Sequence, residues 1–167
     1  MRIEEETLRK RRDVYFPRSE GAPAPVAVEI KRRVHFSEVD PMGVVWHGRY
    51  PTYFEEASEE LGRHCDLSYK DFYEAKLRAP IVRLHVDYHN PLSLGEEFTA
   101  RALLIWNEGA RLNTEYYLIK EDGSLGASGY TVQLFTAAGS GEVCLIIPRL
   151  LQHCRTKWMA GDFHLQR

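Results

Sequence analysis

The sequence lacks the features of a secreted or membrane-spanning protein. Its three cysteines, Cys65, Cys144 and Cys154, have an odd count and no CxxC spacing. We therefore expect reduced thiols in a cytoplasmic protein and no disulfide framework. No apolar run approaches the roughly 18 residues that are needed to span a bilayer. The N-terminal stretch MRIEEETLRKRRDVYF is too charged for a signal peptide.

Positive charge is also scarce in the form that nucleic-acid binding requires. The net charge is −2 with neutral histidines, and the basic runs at 9–12 and 31–33 are short. Phosphate backbones are bound by clustered Lys and Arg, so we expect no nucleic-acid partner. The histidines show no ligand spacing such as HExxH, and we expect neither a metal nor another cofactor.

What is present is an ordinary globular composition. The chain has 167 residues, of which 44% are hydrophobic and 28% are charged, and this suits one domain with a substantial core. Residues 1–26 are rich in charge and end in the linker-like stretch RSEGAPAPV, so we predict an N-terminal arm or mobile tail there. Residues 27–167 are predicted to form the single domain.

The apolar spacing predicts one long helix among several strands. Tyr50, Phe54, Ala57 and Leu61 recur at helical spacing, and Pro51 lies in the expected first turn, which places a helix over 50–64. A short helix is predicted over 68–75, with Ser68 as its N-cap and Asp71 completing a capping box, and a closing helix over 150–158. Alternating or β-rich segments predict strands over 27–37, 79–89, 97–106, 110–120 and 128–136.

This order of elements predicts the fold class. Consecutive strands with short turns make an antiparallel sheet, and one face of such a sheet must be covered. The long helix is the available cover. We therefore predict an α+β hotdog fold, in which a five-stranded antiparallel sheet wraps around one central helix.

The segment ahead of the long helix carries a family motif. It reads Asp40-Pro41-Met42-Gly43-Val44-Val45-Trp46-His47, followed by Tyr50, Tyr53-Phe54-Glu55 and Ala57. It resembles the motif of the 4-hydroxybenzoyl-CoA thioesterase-type hotdog proteins. The later stretch VDYHNPL at 86–92, followed by a Gly-Glu pair, is similar to the second landmark of that family.

The resemblance implies an activity, a substrate and an assembly. Such proteins hydrolyse acyl-CoA thioesters without a metal or redox cofactor, and the substrate binds where protomers meet in a homodimer or homotetramer. The acid at the position of Asp40 is their catalytic carboxylate, so the resemblance assigns that role to Asp40 here. Five residues at or next to the motif are expected to bind the substrate: Gly43, Val45, Trp46, Gly48 and Tyr50. Tyr50 is expected to serve mainly in packing at the helix start.

The residue chemistry supports the same reading. Free amides at a helix start can stabilise the oxyanion that forms when a thioester carbonyl is attacked, and the amides of His47 and Gly48 lie at that start. Gly43 permits the turn that would bring Asp40 towards them. Asp40 would then act as a nucleophile or as a general base, which the sequence leaves open. His47 would orient the thioester or the water.

Several alternatives stay open at this point. An Asp-Pro pair also initiates ordinary turns, and an isolated histidine is often structural. Glu56 follows the His47-Gly48 pair at a spacing that related hotdog enzymes use for a helix acid, so it is the backup base. A hotdog dehydratase and a catalytically silent acyl-thioester binding module are the rival functions. The acyl group, aromatic or short aliphatic, and its carrier, CoA or a carrier protein, are not specified.

Overall fold

The computed structural model describes residues 15–164, so residues 1–14 of the predicted arm lie outside the described part. Five antiparallel strands form the main sheet: β1 (Val26–Arg33), β3 (Ile81–Tyr88), β4 (Glu97–Ile105), β5 (Arg111–Lys120) and β6 (Leu125–Leu134). Their spatial order is β1-β4-β5-β6-β3. A separate two-stranded ribbon pairs β2 (Leu77–Arg78) with β7 (Thr136–Ala137).

The order of the strands differs from a simple succession of hairpins. β3 pairs with β6 and lies at one edge, whereas β4 pairs with β1 at the other. Residues 89–96 therefore carry the chain from one side of the sheet to the other. β6 begins at Leu125, three residues before the predicted start at 128, because the Asp122-Gly123 hairpin is tight and Lys120 already bonds across it to Ser124.

Within residues 15–164, three α-helices accompany the sheet: α1 (Tyr50–His64), α2 (Tyr69–Glu74) and α3 (Arg149–Ala160). The bounds of α1 are those that the apolar spacing predicts, and Pro51 lies in its first turn. The predicted capping box of α2 is present, since Ser68 accepts from the amide of Asp71 and donates its own amide to the Asp71 carboxylate. The hydroxyl of Ser68 also donates to the Asp71 carboxylate, and this bond, followed by the one from the Ser68 amide, lowers the pKa of Asp71.

The sheet wraps closely around α1. The helix buries Tyr50, Tyr53, Phe54, Ala57 and Leu61, and the ring of Phe54 stacks on Tyr116 of β5 with centroids 4.6 Å apart. A Cβ at Gly129 of β6 would lie 2.7 Å from the Phe54 ring, so the absence of a side chain at 129 is what allows this approach. The predicted α+β hotdog architecture is confirmed.

Residues 15–18 lie on part of the opposite face of the sheet, which we call the outer face. Because Tyr116 points to α1, its neighbour Glu115 points to the outer face. The Glu115 side chain is fully buried there. It accepts hydrogen bonds from the amides of Tyr15 and Phe16 at 3.1 and 3.0 Å, and Arg18 donates to both of its oxygens at 3.1 and 2.8 Å. The first residue of the predicted linker, Arg18, and the residues just before it are thus bonded to the sheet.

None of the helices within residues 15–164 combines the length and the apolar character needed to cross a membrane.

Candidate active site at the start of the central helix

The loop ahead of α1 is a closed turn built on Asp40 and Gly43. The amide of Gly43 donates to the carbonyl of Asp40 at 2.9 Å, and the amide of Asp40 donates to the carbonyl of Val44 at 2.8 Å. Gly43 has φ +79°, a left-handed conformation that favours glycine. The predicted glycine turn between Asp40 and the helix is therefore present.

The carboxylate of Asp40 is held through one oxygen. Its Oδ1 accepts a hydrogen bond from the amide of Met42 at 2.8 Å, which is the local turn that aspartate commonly makes. The side chain is half-buried. Among residues 15–164, Oδ2 has no hydrogen-bond or ion-pair partner, so one carboxylate oxygen remains available.

The same loop is anchored to the segment that connects β3 and β4. The amide of Val45 donates to the carbonyl of Leu92 at 2.8 Å, and the amide of Leu94 donates to the carbonyl of Gly43 at 3.0 Å. Val45 and Leu92 are both buried. Two distant stretches of the chain, the two motifs of the sequence, are thereby joined side by side.

A single 3₁₀ turn, His47–Arg49, leads directly into α1. The amides of His47 and Gly48 find no acceptor within the described chain, as expected at a helix start. The ring of Trp46 lies across Gly48, since a Cβ at 48 would be 2.3 Å from a ring carbon. Gly48 is therefore required for this position of Trp46, whose ring also contacts that of His47 at 5.0 Å between centroids.

Beside this turn lies a cleft of about 230 Å³. Its lining consists of Val45, His47, Tyr50, Tyr88, His89, Asn90 and Pro91. The hydroxyl of Tyr88 donates to the carbonyl of His47 at 2.8 Å, and the rings of Tyr50 and Tyr88 meet edge to face at 4.9 Å. The end of β3 is thus fixed against the start of α1.

Burial strengthens the preference of the Tyr50 phenol for its neutral form. Desolvation raises the pKa of Tyr50 above its ordinary value, although a hydrogen bond with the backbone of Leu92 opposes the effect. Tyr50 therefore offers a neutral, largely apolar wall to the cleft.

Only some of the predicted site residues line the cleft. Val45, His47 and Tyr50 line the cleft, whereas Asp40 and Gly43 lie in the adjoining turn. Trp46 and Gly48 belong to the chain leading into α1 but are not among the lining residues.

Glu56, the backup base, lies elsewhere on α1. Its Oε2 is 2.6 Å from Nε of Arg32, and Nη2 of the same arginine donates to Glu38 at 3.0 Å. The side chain of Glu56 is thus held by β1 and is not among the residues that line the cleft. This geometry favours a structural ion pair at Glu56.

Four lining residues, Tyr88 to Pro91, were not predicted as site residues. They belong to VDYHNPL at 86–92, the stretch that resembles the second landmark of the family and from which no site residue was predicted. The signal that could have identified them is a strand that ends at Asn90-Pro91, directly after the polar aromatic residues Tyr88 and His89.

Comparison with known proteins identifies the family of the chain. The model of the thioesterase-like superfamily matches residues 34–154, a range that contains both the turn and the cleft. The chain belongs to the thioesterase-like superfamily. The predicted resemblance to hotdog thioesterases is thereby confirmed.

Individual relatives carry matching names. The acyl-CoA thioester hydrolase YbgC of Escherichia coli is 23% identical over 93 residues, which cover 56% of this chain and 69% of that protein. A DHNA-CoA thioesterase from Staphylococcus aureus has the same fold, with a TM-score of 0.72 and 20% identity over 84% of this chain and 96% of that one. The protein SAV2348 from Staphylococcus aureus, solved in complex with CoA, has a TM-score of 0.71 and 17% identity over 89% and 90%. The family and these names bear out the expectation of a thioester hydrolase.

Proposed function

We propose that this protein is an acyl-CoA thioesterase that releases a carboxylic acid and CoA, with its catalytic centre at the start of α1. The proposal depends on one observation: a cleft lies beside a turn whose His47 and Gly48 amides have no acceptor among residues 15–164, in a chain of the thioesterase-like superfamily. The acyl-CoA class is carried over from the names of relatives such as YbgC.

The amides of His47 and Gly48 would stabilise the oxyanion. When the thioester carbonyl is attacked, negative charge develops on its oxygen, and preoriented amides stabilise that charge without reorganisation. One such donor commonly contributes about 10²–10³-fold in kcat. The ring of Trp46 above Gly48 would limit access of water to this point.

Asp40 would supply the base or the nucleophile. Its Oδ1 is fixed by the amide of Met42, which leaves Oδ2 to take a proton from water or to attack the carbonyl. His47, whose side chain lines the cleft, would orient the thioester or the water. The walls formed by Val45, Tyr50 and Tyr88 suit a short aliphatic or aromatic acyl group.

An assay of thiol release tests the role of Asp40. The wild type, Asp40→Asn and Glu56→Gln are compared on a panel of short aliphatic and aromatic acyl-CoAs. We expect Asp40→Asn to lower turnover by about 10²–10⁴-fold, because a carboxamide is neither a base nor a nucleophile, and Glu56→Gln to retain turnover. Asp122→Asn is the matched control, since the Asp122 carboxylate accepts from the amide of Ser124 in the same kind of local turn and Asp122 is not among the residues that line the cleft.

Two results would contradict the proposal. A wild type that binds acyl-CoA in calorimetry but releases no thiol would favour the silent binding module. Full turnover in Asp40→Asn together with loss in Glu56→Gln would move the base to α1.

We further propose that the enzyme is a homodimer joined along β3. The two edges of the sheet differ: β1 is rich in charged residues, whereas β3 exposes Ile81, Val82, Leu84 and Tyr88. An unprotected apolar edge favours pairing with another strand. Two-fold antiparallel pairing of β3 would place the start of one copy beside the cleft at the end of the other, which would make the site shared. The cytoplasmic location stays a prediction.

Sedimentation tests this assembly. Leu84→Asp, on the apolar edge, is expected to shift the protein to a monomer and to lower thiol release, because a charge would be buried in the new interface. Ala27→Asp, on the exposed face of the opposite edge strand, is the control and should leave the mass unchanged. A wild-type monomer with full activity would refute the shared site.

A further inference from the structure

A series of hydrogen bonds connects residues 15–18, which we call the N-terminal segment, to the cleft. The hydroxyl of Tyr15 donates to Oδ2 of Asp87 at 2.7 Å and lies 2.6 Å from Oγ of Ser128. Oγ of Ser128 is in turn 2.8 Å from Nε2 of His89. Ser128 is fully buried, and His89 lines the cleft. The hydroxyl groups of Tyr15 and Ser128 thus connect the outer face of the sheet to the candidate site.

The protons in this series can point in only one direction. A phenol has a single proton, and that of Tyr15 is given to Asp87. The oxygen of Tyr15 must then accept the proton of Ser128. The oxygen of Ser128 must therefore accept a proton from Nε2 of His89.

The charge of Asp87 sets this direction. The hydrogen bond from Tyr15 and then that from His85 lower the pKa of Asp87, and together they outweigh the opposing effect of burial. His85 Nε2 lies 2.9 Å from the same Oδ2. An ionised carboxylate can only accept hydrogen bonds, so Asp87 is a fixed acceptor at one end of this series of hydrogen bonds.

The position of Tyr15 is itself well defined. Its amide donates to the buried Glu115 at 3.1 Å, and its ring meets those of Tyr130 and His85 at centroid distances of 5.2 and 5.7 Å. The hydroxyl is therefore held at the outer face by contacts that do not involve the cleft.

We propose that Tyr15 is a positioning residue of the site, which acts through Ser128 to hold the proton of His89 on Nε2. In the neutral ring, Nδ1 is then the only nitrogen that remains for a ligand in the cleft, and it can only accept. The tautomer of a histidine is commonly set by the bond that its other nitrogen makes. Such an acceptor suits a donor group, such as the attacking water or an amide N–H of an acyl-CoA. The role in the reaction rests on the proposed function, whereas the tautomer does not.

Nitrogen-15 NMR of the histidine side chains tests the relay. Protein labelled with ¹⁵N-histidine is measured near pH 8, above the ordinary histidine pKa of about 6.5. His89 is assigned by its loss in His89→Gln. We expect the wild type to show a protonated Nε2 and an unprotonated Nδ1 at His89.

Variants then break the relay at two points. Tyr15→Phe removes the acceptor for Ser128, so the serine proton becomes free to turn to His89, and both ring shifts should move towards the average of two tautomers. Ser128→Ala removes the acceptor for His89 while leaving the Glu115 contacts of residues 15–18 in place, and it should do the same. Tyr73→Phe, at a strongly exposed tyrosine, is the matched control and should leave His89 unchanged.

The outcomes separate this inference from the proposed function. A proton on Nδ1 of His89 in the wild type would overturn the relay, and so would unchanged shifts in Tyr15→Phe. If the shifts behave as expected while the wild type releases no thiol from any acyl-CoA, the relay stands and the thioesterase proposal falls.

Discussion

The ion pair between Arg18 and Glu115 should contribute much of the free energy that holds residues 15–18 on the sheet. Glu115 is fully buried, and Arg18 is 38% exposed and donates to both carboxylate oxygens. Arg18→Ala would leave the carboxylate in the sheet with fewer donors. We therefore expect a clear loss of stability from the change of one residue outside the predicted domain.

The size of the loss follows from the burial and the remaining donors. Removing one partner of a fully buried ion pair costs about 3–5 kcal/mol. Here Arg18 is partly solvated, and Glu115 keeps the amides of Tyr15 and Phe16 together with the hydroxyl of Tyr117. A loss of about 2–3 kcal/mol is therefore expected, in the range for hydrogen bonds to charged groups.

Urea unfolding and thermal melting measure this loss. For a chain of this size, a loss of about 2–3 kcal/mol corresponds to a fall in Tm of about 4–12 °C, and the urea m-value should not change. Arg63→Ala is the control: Arg63 pairs with Glu59 and Glu60 on the exposed side of α1, and such pairs contribute about 0–1 kcal/mol. If Arg18→Ala lowers the urea midpoint no more than Arg63→Ala does, the segment is not held by Glu115 and the reasoning is wrong.

Three further changes test the close contacts. Gly129→Ala should lower the free energy of unfolding by about 1–3 kcal/mol, because the added carbon would meet a backbone oxygen at 2.1 Å and the ring of Phe54 at 2.7 Å; an unchanged Tm would contradict this. Gly48→Ala should displace the ring of Trp46 and so change the tryptophan fluorescence. It should also lower thiol release by about tenfold or more, because small displacements of catalytic groups are costly. Unchanged kinetics would contradict this. Tyr88→Phe removes one hydrogen bond between β3 and the turn before α1 and should cost about 1 kcal/mol in urea unfolding, whereas equal stability would mean that the bond contributes nothing.

The sequence was sufficient for the elements whose signals are local. The spacing of Tyr50, Phe54, Ala57 and Leu61 predicted α1 with its observed bounds, because a helical stripe is periodic and uninterrupted. The capping box of α2 and the left-handed turn at Gly43 also depend on neighbouring residues, and both are present.

Features that depend on distant residues could not be predicted in this way. Glu115 lies in an ordinary strand pattern, and nothing near it indicates that a carboxylate would be buried by residues about 100 positions earlier. From the sequence alone, Gly129 would only be expected to destabilise a strand. Its role becomes evident from the ring of Phe54, which packs against it. The edge position of β3 likewise follows from its pairing with β6, which local spacing does not encode.

The end of β3 connects these distant features to the candidate site. Adjacent strand residues point to opposite faces, so Tyr88 reaches the start of α1 through the carbonyl of His47, while Asp87 bonds Tyr15 on the outer face. His89, the next residue, bonds Ser128 and also lines the cleft. The helix start and the N-terminal segment therefore act on one strand end from two sides. A perturbation of residues 15–18 is therefore expected to reach the cleft through Ser128 and His89, whereas the helix start lines the cleft directly.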